Sequence, residues 1–170
     1  KPPTVLAIDG WAPYWALDDS AADIARRAGS MREISPFWFK VTGVTRIETY
    51  PTAPVDLMEK FLDNTRGARV VPSLVDRLPA GQMAAILADP DSRRRHVDTI
   101  VAFAEDGDYD GIDLNYEQFA FADGRDTWET TRPNWVSFVA EVAEELHDDG
   151  RTLTVSIPVV YDDGRTSESG

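Results

Sequence analysis

Three polar side chains stand at alternate positions of one short stretch, Asp113, Asn115 and Glu117 within "DGIDLNYE" at 110–117. Ile112, Leu114 and Tyr116 separate them, so the octet carries the period-two pattern of a strand whose successive side chains point to opposite faces. The polar three then share one face, about 7 Å apart per step of two residues. Two of them are acids, which a buried strand avoids unless they are paired or serve chemistry. Neighbouring elements place the octet centrally: a helical pattern precedes it, and Ile112 and Leu114 supply an apolar opposite face.

The elements that must hold this row are short apolar runs alternating with amphipathic stretches, the pattern of repeating βα units around a parallel sheet. Five strands are expected: "TVLAI" (4–8), "REISPFWF" (32–39), "ARVVPSLV" (68–75), the octet, and "RTLTVSIPVV" (151–160). Pro36 marks an irregular or edge position in the second. Four helices are expected between them: a short one opening near Ser20, one over 54–64, one through "DPDSRRRHVDTIVAFAEDG" with acidic and serine residues at its start, and one over 133–147 with Gly150 as its stop. The stretch "QFAFADGRDTWETTR" reads as a long loop.

Five such units fit either an open doubly wound sheet or the first five strands and four helices of a TIM (β/α)8 barrel, of which this chain would be the N-terminal portion. No G-x-G-x-x-G or P-loop follows the first strand, which disfavours a nucleotide-binding, flavodoxin-like sheet. No helix is expected after the fifth strand, as an open sheet would need, so the barrel is the better reading. In it Asp113, Asn115 and Glu117 point inward and climb toward the C-terminal rim, where barrel enzymes carry their chemistry.

Composition narrows the partners. The 170-residue chain is 42% hydrophobic and 10% aromatic, enough for a globular core. Its net charge of −13 disfavours nucleic acid and anionic membranes and leaves a neutral ligand as the expected partner. No apolar run approaches the ~20 residues of a membrane span, and "KPPTVLAIDG" has no signal-peptide pattern. Cysteine is absent, so thiolate metal sites are excluded, and the acidic pairs at 18–19, 148–149 and 162–163 lack ligand spacing, so neither metal nor cofactor is expected. His96 and His147 read as surface residues at helix ends, and Arg93 to Arg95 as a solvated helix face.

"DGIDLNYE" resembles the D-G-x-D-x-D-x-E signature of glycoside hydrolase family 18, the chitinase-like (β/α)8 barrels, at the end of strand four. "GWAPYW" (10–15), "ISPFWFKVTG" (34–43), "VVPSLVD" (70–76) and "LTVSIPVVY" (153–161) resemble the family's first, second, third and fifth strands, closest to the bacterial cell-wall and spore-cortex branch. The resemblance implies hydrolysis of β-linked N-acetylglucosamine polymers, with Glu117 as the general acid, Asn115 at the position that orients the substrate's 2-acetamido group, and Asp113 as the buried carboxylate beneath it. It also implies an extracellular or cell-wall location.

Asn115 departs from the family pattern, which has Asp there. Asp113 and Glu117 are about 13 Å apart between Cα atoms, too far to serve as the acid and nucleophile of an ordinary retaining glycosidase, which need ~5 Å. The resemblance therefore implies the substrate-assisted route, in which the acetamido carbonyl attacks the anomeric carbon. Asn can accept the acetamide N–H but brings no charge to the cationic intermediate. A related barrel family of endo-acting N-acetylglucosaminidases uses Asn at the equivalent place. The alternative is a carbohydrate-binding, chitinase-like protein that has lost turnover.

Tyr14, Trp15, Trp38 and Tyr161 are expected near C-terminal strand ends, where aromatic faces can pack on pyranose rings. Trp11 and Phe37 belong to the same group, and some of the six must be core. Five strands leave two unpaired edges, so the missing strands are expected either from a separate chain or from a swapped copy of this one.

Overall fold

The computed structural model describes residues 8–27, 30–65 and 67–157. The expected strand at 4–8 lies almost wholly outside that range, and the described first strand is β1 (Ile8–Pro13). The second strand runs as β2 (Met31–Phe37), halts at Trp38 and resumes as β3 (Phe39–Gly43), which turns back through an antiparallel β4 (Arg46–Thr49). The third is likewise split into β5 (Arg69–Val70) and β6 (Ser73–Asp76); β7 (Gly111–Asn115) is the fourth and β8 (Thr152–Val155) the fifth. Leaving aside β4, every pairing is parallel, in the orders β1-β2-β5 and β3-β6-β7-β8.

Consecutive strand positions are thus neighbours in one direction round the sheet, the order of the first five strands of a (β/α)8 barrel; the described residues do not close one. The interruption in strands two and three has a local cause. Pairing of β2 with β5 stops at Ile34, and Pro36 and Pro72, which have no N–H for a ladder, fall in the gap. Pairing restarts at Phe39 opposite Leu74. Pro36 therefore marks an irregularity on a strand that β1 still pairs along its whole length, not an outer edge.

The helices are α1 (Leu17–Arg27), α2 (Val55–Leu62), α3 (Gln82–Ala88), α4 (Pro90–Asp106), α5 (Gln118–Ala122) and α6 (Trp128–Asp148). Asp89 caps α4 by accepting from Ser92 N at 2.7 Å, and Pro90 sits at its first position. Ser20 does not cap α1: it lies within the helix and its hydroxyl bonds back to Ala16 O. The expected long loop after the octet holds α5 and the first turn of α6. Trp128 donates its indole N–H to Ala120 O at 2.7 Å, and this anchor starts α6 before Pro133, which is carried inside the helix. Gly150, at φ +75°, ends it as expected.

The core lies between the sheet and the helices, with Leu74, Ile112 and Leu114 meeting Val97, Ile100, Phe138 and Val142, all buried. At Gly111 a Cβ would stand 2.4 Å from Thr152 O, so only glycine permits the approach of β7 to β8 at the base of the candidate row.

Candidate active site

Tyr116 establishes which face of β7 is which. Its ring stacks on Phe138 of α6 and its hydroxyl meets His96 of α4, so Ile112, Leu114 and Tyr116 face the helices. Asp113 and Asn115 face the other way. Parallel register carries this inner face to the neighbours: Ser73 lies beside Asp113, Val75 beside Asn115, and Lys40 of β3 beside Val75.

Asp113 is 1% exposed and accepts from Ser156 Oγ at 3.2 Å. Burial pushes its carboxyl above the ordinary carboxylate range, opposed by Ser73, Ser156 and Trp11. Neither Ser73 Oγ nor Asp113 Oδ2 completes a hydrogen bond among the described residues. Trp11 belongs to β1 and Asp113 to β7; their proximity reflects the inward curl of the sheet. Asn115 and Glu117 are half-buried above Asp113, and Glu117 is the residue from which α5 starts.

What fixes the chain just past Glu117 is a residue that the strand pattern did not single out. Asp76, fully buried at the end of β6, accepts from the backbone N–H groups of Gln118 at 3.0 Å and Phe119 at 2.7 Å. Burial raises its carboxyl from the usual value, and the two N–H groups oppose that rise. The only sequence signal was an acid closing the apolar run "VVPSLVD".

His96 corrects the expectation of a surface histidine. It is 0% exposed, with Nδ1 2.8 Å from Val44 O and Nε2 3.0 Å from the Tyr116 hydroxyl. A carbonyl can only accept, so Nδ1 carries the proton and Nε2 accepts from Tyr116. Burial lowers its pKa below 6.5, against a smaller opposing effect from Val44 O. With the folded value depressed, the neutral ring contributes stability above pH ~6.5 that is lost as pH falls through the folded value. Denaturation at pH 7.5 and pH 5 is expected to show a larger loss on acidification in the wild type than in His96→Gln; equal losses would refute the role of this ring. His147 is exposed, as expected.

The aromatic candidates separate. Trp15 is 66% exposed beside the end of β1, edge-on to Tyr14 at 5.0 Å and to Phe37 at 5.7 Å. Tyr14 stacks on Tyr50 at 4.7 Å, and Tyr14, Trp15, Asp19, Pro54 and Leu57 line a groove of about 300 Å³. Trp38 is a correction: it is fully buried and packs edge-on to Phe61 of α2 at 5.4 Å, so it has no face to offer a sugar. The interruption of the strand at this residue turns it toward the helices. Tyr161 lies outside the described residues. A second cavity of about 300 Å³, lined by Tyr116, Phe119, Trp128, Trp135 and Ile157 among others, opens on the helix side of β7 and so does not hold the polar row.

The inner row can bind a neutral polar group and bring one acid, Glu117, to the C-terminal rim, above a buried carboxyl. Among the described residues no cluster of His, Asp or Glu is arranged to hold a metal ion, and no helix is long and apolar enough to cross a membrane.

Neither a protein-family model nor a curated protein sequence matches the chain. Solved structures do. A chitinase from Chromobacterium violaceum matches with a TM-score of 0.67 at 20% identity, over 91% of this chain and 46% of that one. The spore cortex-lytic enzyme SleL of Bacillus megaterium matches at 0.70 and 15%, over 96% and 38%. A family 18 chitinase of Cycas revoluta in complex with (GlcNAc)4 matches at 0.66 and 17%, over 89% and 45%. The chain therefore spans about half the length of these proteins or less, and at such identities the likeness is one of fold: a mixed α/β chain shaped like the corresponding part of a chitinase-like domain.

Proposed function

We propose that this chain is the N-terminal portion of a (β/α)8 glycoside hydrolase domain that cleaves β-linked N-acetylglucosamine glycans by a substrate-assisted, retaining mechanism. The observation that carries the reading is the inner row of β7, with buried Asp113, half-buried Asn115 and Glu117 at the rim, in a fold shared with chitinases. Glu117 protonates the departing glycosidic oxygen. Asn115 accepts a hydrogen bond from the acetamide N–H while the acetamide oxygen attacks the anomeric carbon, and the oxazolinium intermediate then opens to a water whose proton returns to the Glu117 carboxylate. Asp113 supports Asn115 from below, and Trp15 and Tyr14 offer faces for sugar rings. Among the described residues β1 and β8 are each paired on one side only, so the reading requires further strands to complete the wall.

The test is the configuration of the first product released by the intact protein from N-acetylglucosamine oligomers. Retention is expected, and inversion or no release overturns the reading. In the same assay Asn115→Asp is expected to raise turnover severalfold if a carboxylate is merely missing, because a charge then faces the cationic intermediate. A sharp fall would identify a site tuned to a neutral oxazoline. The second reading, binding without turnover, is favoured by Asn115 alone and predicts oligomer binding with no product.

A further inference from the structure

Alternation along the third strand places Arg77 on the inner face, in line with Ser73 and Val75, while Asp76 is turned to the helix side. Arg77 is exposed and stands at the same rim as Glu117. Its guanidinium is held by two neutral oxygens: Nε donates to the Tyr50 hydroxyl at 2.9 Å and Nη1 to Gln118 Oε1, on the residue next to Glu117. This is a chain in which acids outnumber Lys and Arg by 30 to 17. Among the described residues Arg26, Arg32, Arg46, Arg69, Arg93, Arg94 and Arg151 each meet a carboxylate within 4 Å, whereas Arg77, like Arg95, Arg125 and Arg132, meets none; of these four only Arg77 stands on the inner face at the rim beside Glu117. Asp76 is near it in sequence, but its oxygens are taken by Gln118 N and Phe119 N on the other side.

Tyr50 ties this cation to an aromatic platform. Tyr50, whose hydroxyl accepts from Arg77, stacks its ring on Tyr14, which contacts the exposed Trp15, so a sugar seated there would present its substituents toward the guanidinium. Lys40 also lies on this face, 5.9 Å over the Tyr50 ring, but is paired with Glu48 at 3.4 Å. A fixed planar guanidinium matches a carboxylate in a way that a neutral hydroxyl does not require. The overall charge of −13 does not forbid such a ligand, since repulsion from the outer surface is screened over about 8 Å at physiological salt.

We propose that Arg77 forms a carboxylate-recognising subsite, and that the glycan bound here carries an acid group on a sugar adjoining N-acetylglucosamine, the chemistry of the lactyl-substituted sugars of peptidoglycan strands rather than of neutral chitin. This rests on the glycan-binding part of the proposed function and not on turnover. The test is equilibrium binding by the intact protein of three probes: a peptide-free N-acetylglucosamine–N-acetylmuramic acid tetrasaccharide, its methyl ester, and chitotetraose. The wild type is expected to prefer the free acid to its ester by on the order of tenfold, Arg77→Gln to abolish that preference, and Arg77→Lys to retain part of it. Equal affinity for acid and ester, a preference unchanged in Arg77→Gln, or no binding of any probe overturns the subsite. Preference for the acid without hydrolysis leaves the subsite standing and overturns only the glycosidase reading.

Discussion

Glu117→Gln is expected to lower hydrolysis of N-acetylglucosamine oligomers by a factor on the order of 10²–10⁴ while leaving oligosaccharide binding largely in place. Glutamine keeps the size and hydrogen-bonding reach of the side chain but has no proton to give to the leaving oxygen. The residue is half-buried where α5 begins, and the chain after it is held by hydrogen bonds from Gln118 N and Phe119 N to Asp76, so an isosteric change there alters chemistry more than fold. Initial rates and affinities on the same oligomers separate the two effects. Unchanged turnover would remove Glu117 from the mechanism.

Asp76→Ala is expected to act on stability and turnover together. It strips two backbone donors of their acceptor, one of them the buried Phe119 N–H, at about 1–3 kcal/mol each if they remain unsatisfied. That is a large part of the 5–15 kcal/mol that ordinarily separates folded from unfolded chains. The urea midpoint is expected to fall without a change in slope. At temperatures where the variant stays folded, kcat is expected to fall more than KM rises, because Asp76 touches no substrate and acts only by setting the backbone that carries Glu117. Asp76→Asn is expected to lie between the two, since its carbonyl can accept one bond while its amide presents a donor to the other N–H. A midpoint unmoved in Asp76→Ala would show that the α5 start is held by something else.

The row in "DGIDLNYE" is legible in the sequence because a strand has a strict period of two: once Ile112 and Leu114 are buried against helices, Asp113 and Asn115 must face the other way. The βα order was legible for the same kind of reason, since apolar periodicity and caps such as Asp89 and Gly150 are local signals. The interruption of strands two and three, the β3–β4 hairpin and α5 were not. They depend on which neighbouring strand offers a partner at Trp38 and Val71, and on Asp76 offering a carboxylate to N–H groups 42 and 43 residues further along the chain.

His96 shows the limit most directly. Its neighbours "RRR" make it read as solvent-facing, yet one helical step turns it from Arg95 into the core, where Val44 O and the Tyr116 hydroxyl satisfy both ring nitrogens. Trp38 moved the same way, from expected sugar platform to core. By itself the sequence determined which side chains share a face of each strand, because backbone periodicity is a property of consecutive residues. Only the tertiary structure decided which of them meet across the sheet: Trp11 turned toward Asp113, Arg77 tied to Tyr50 and Gln118, Asp76 beneath the residues that follow Glu117. Those meetings join residues 27 to 102 positions apart, and no local pattern encodes the curl of the sheet that brings them together.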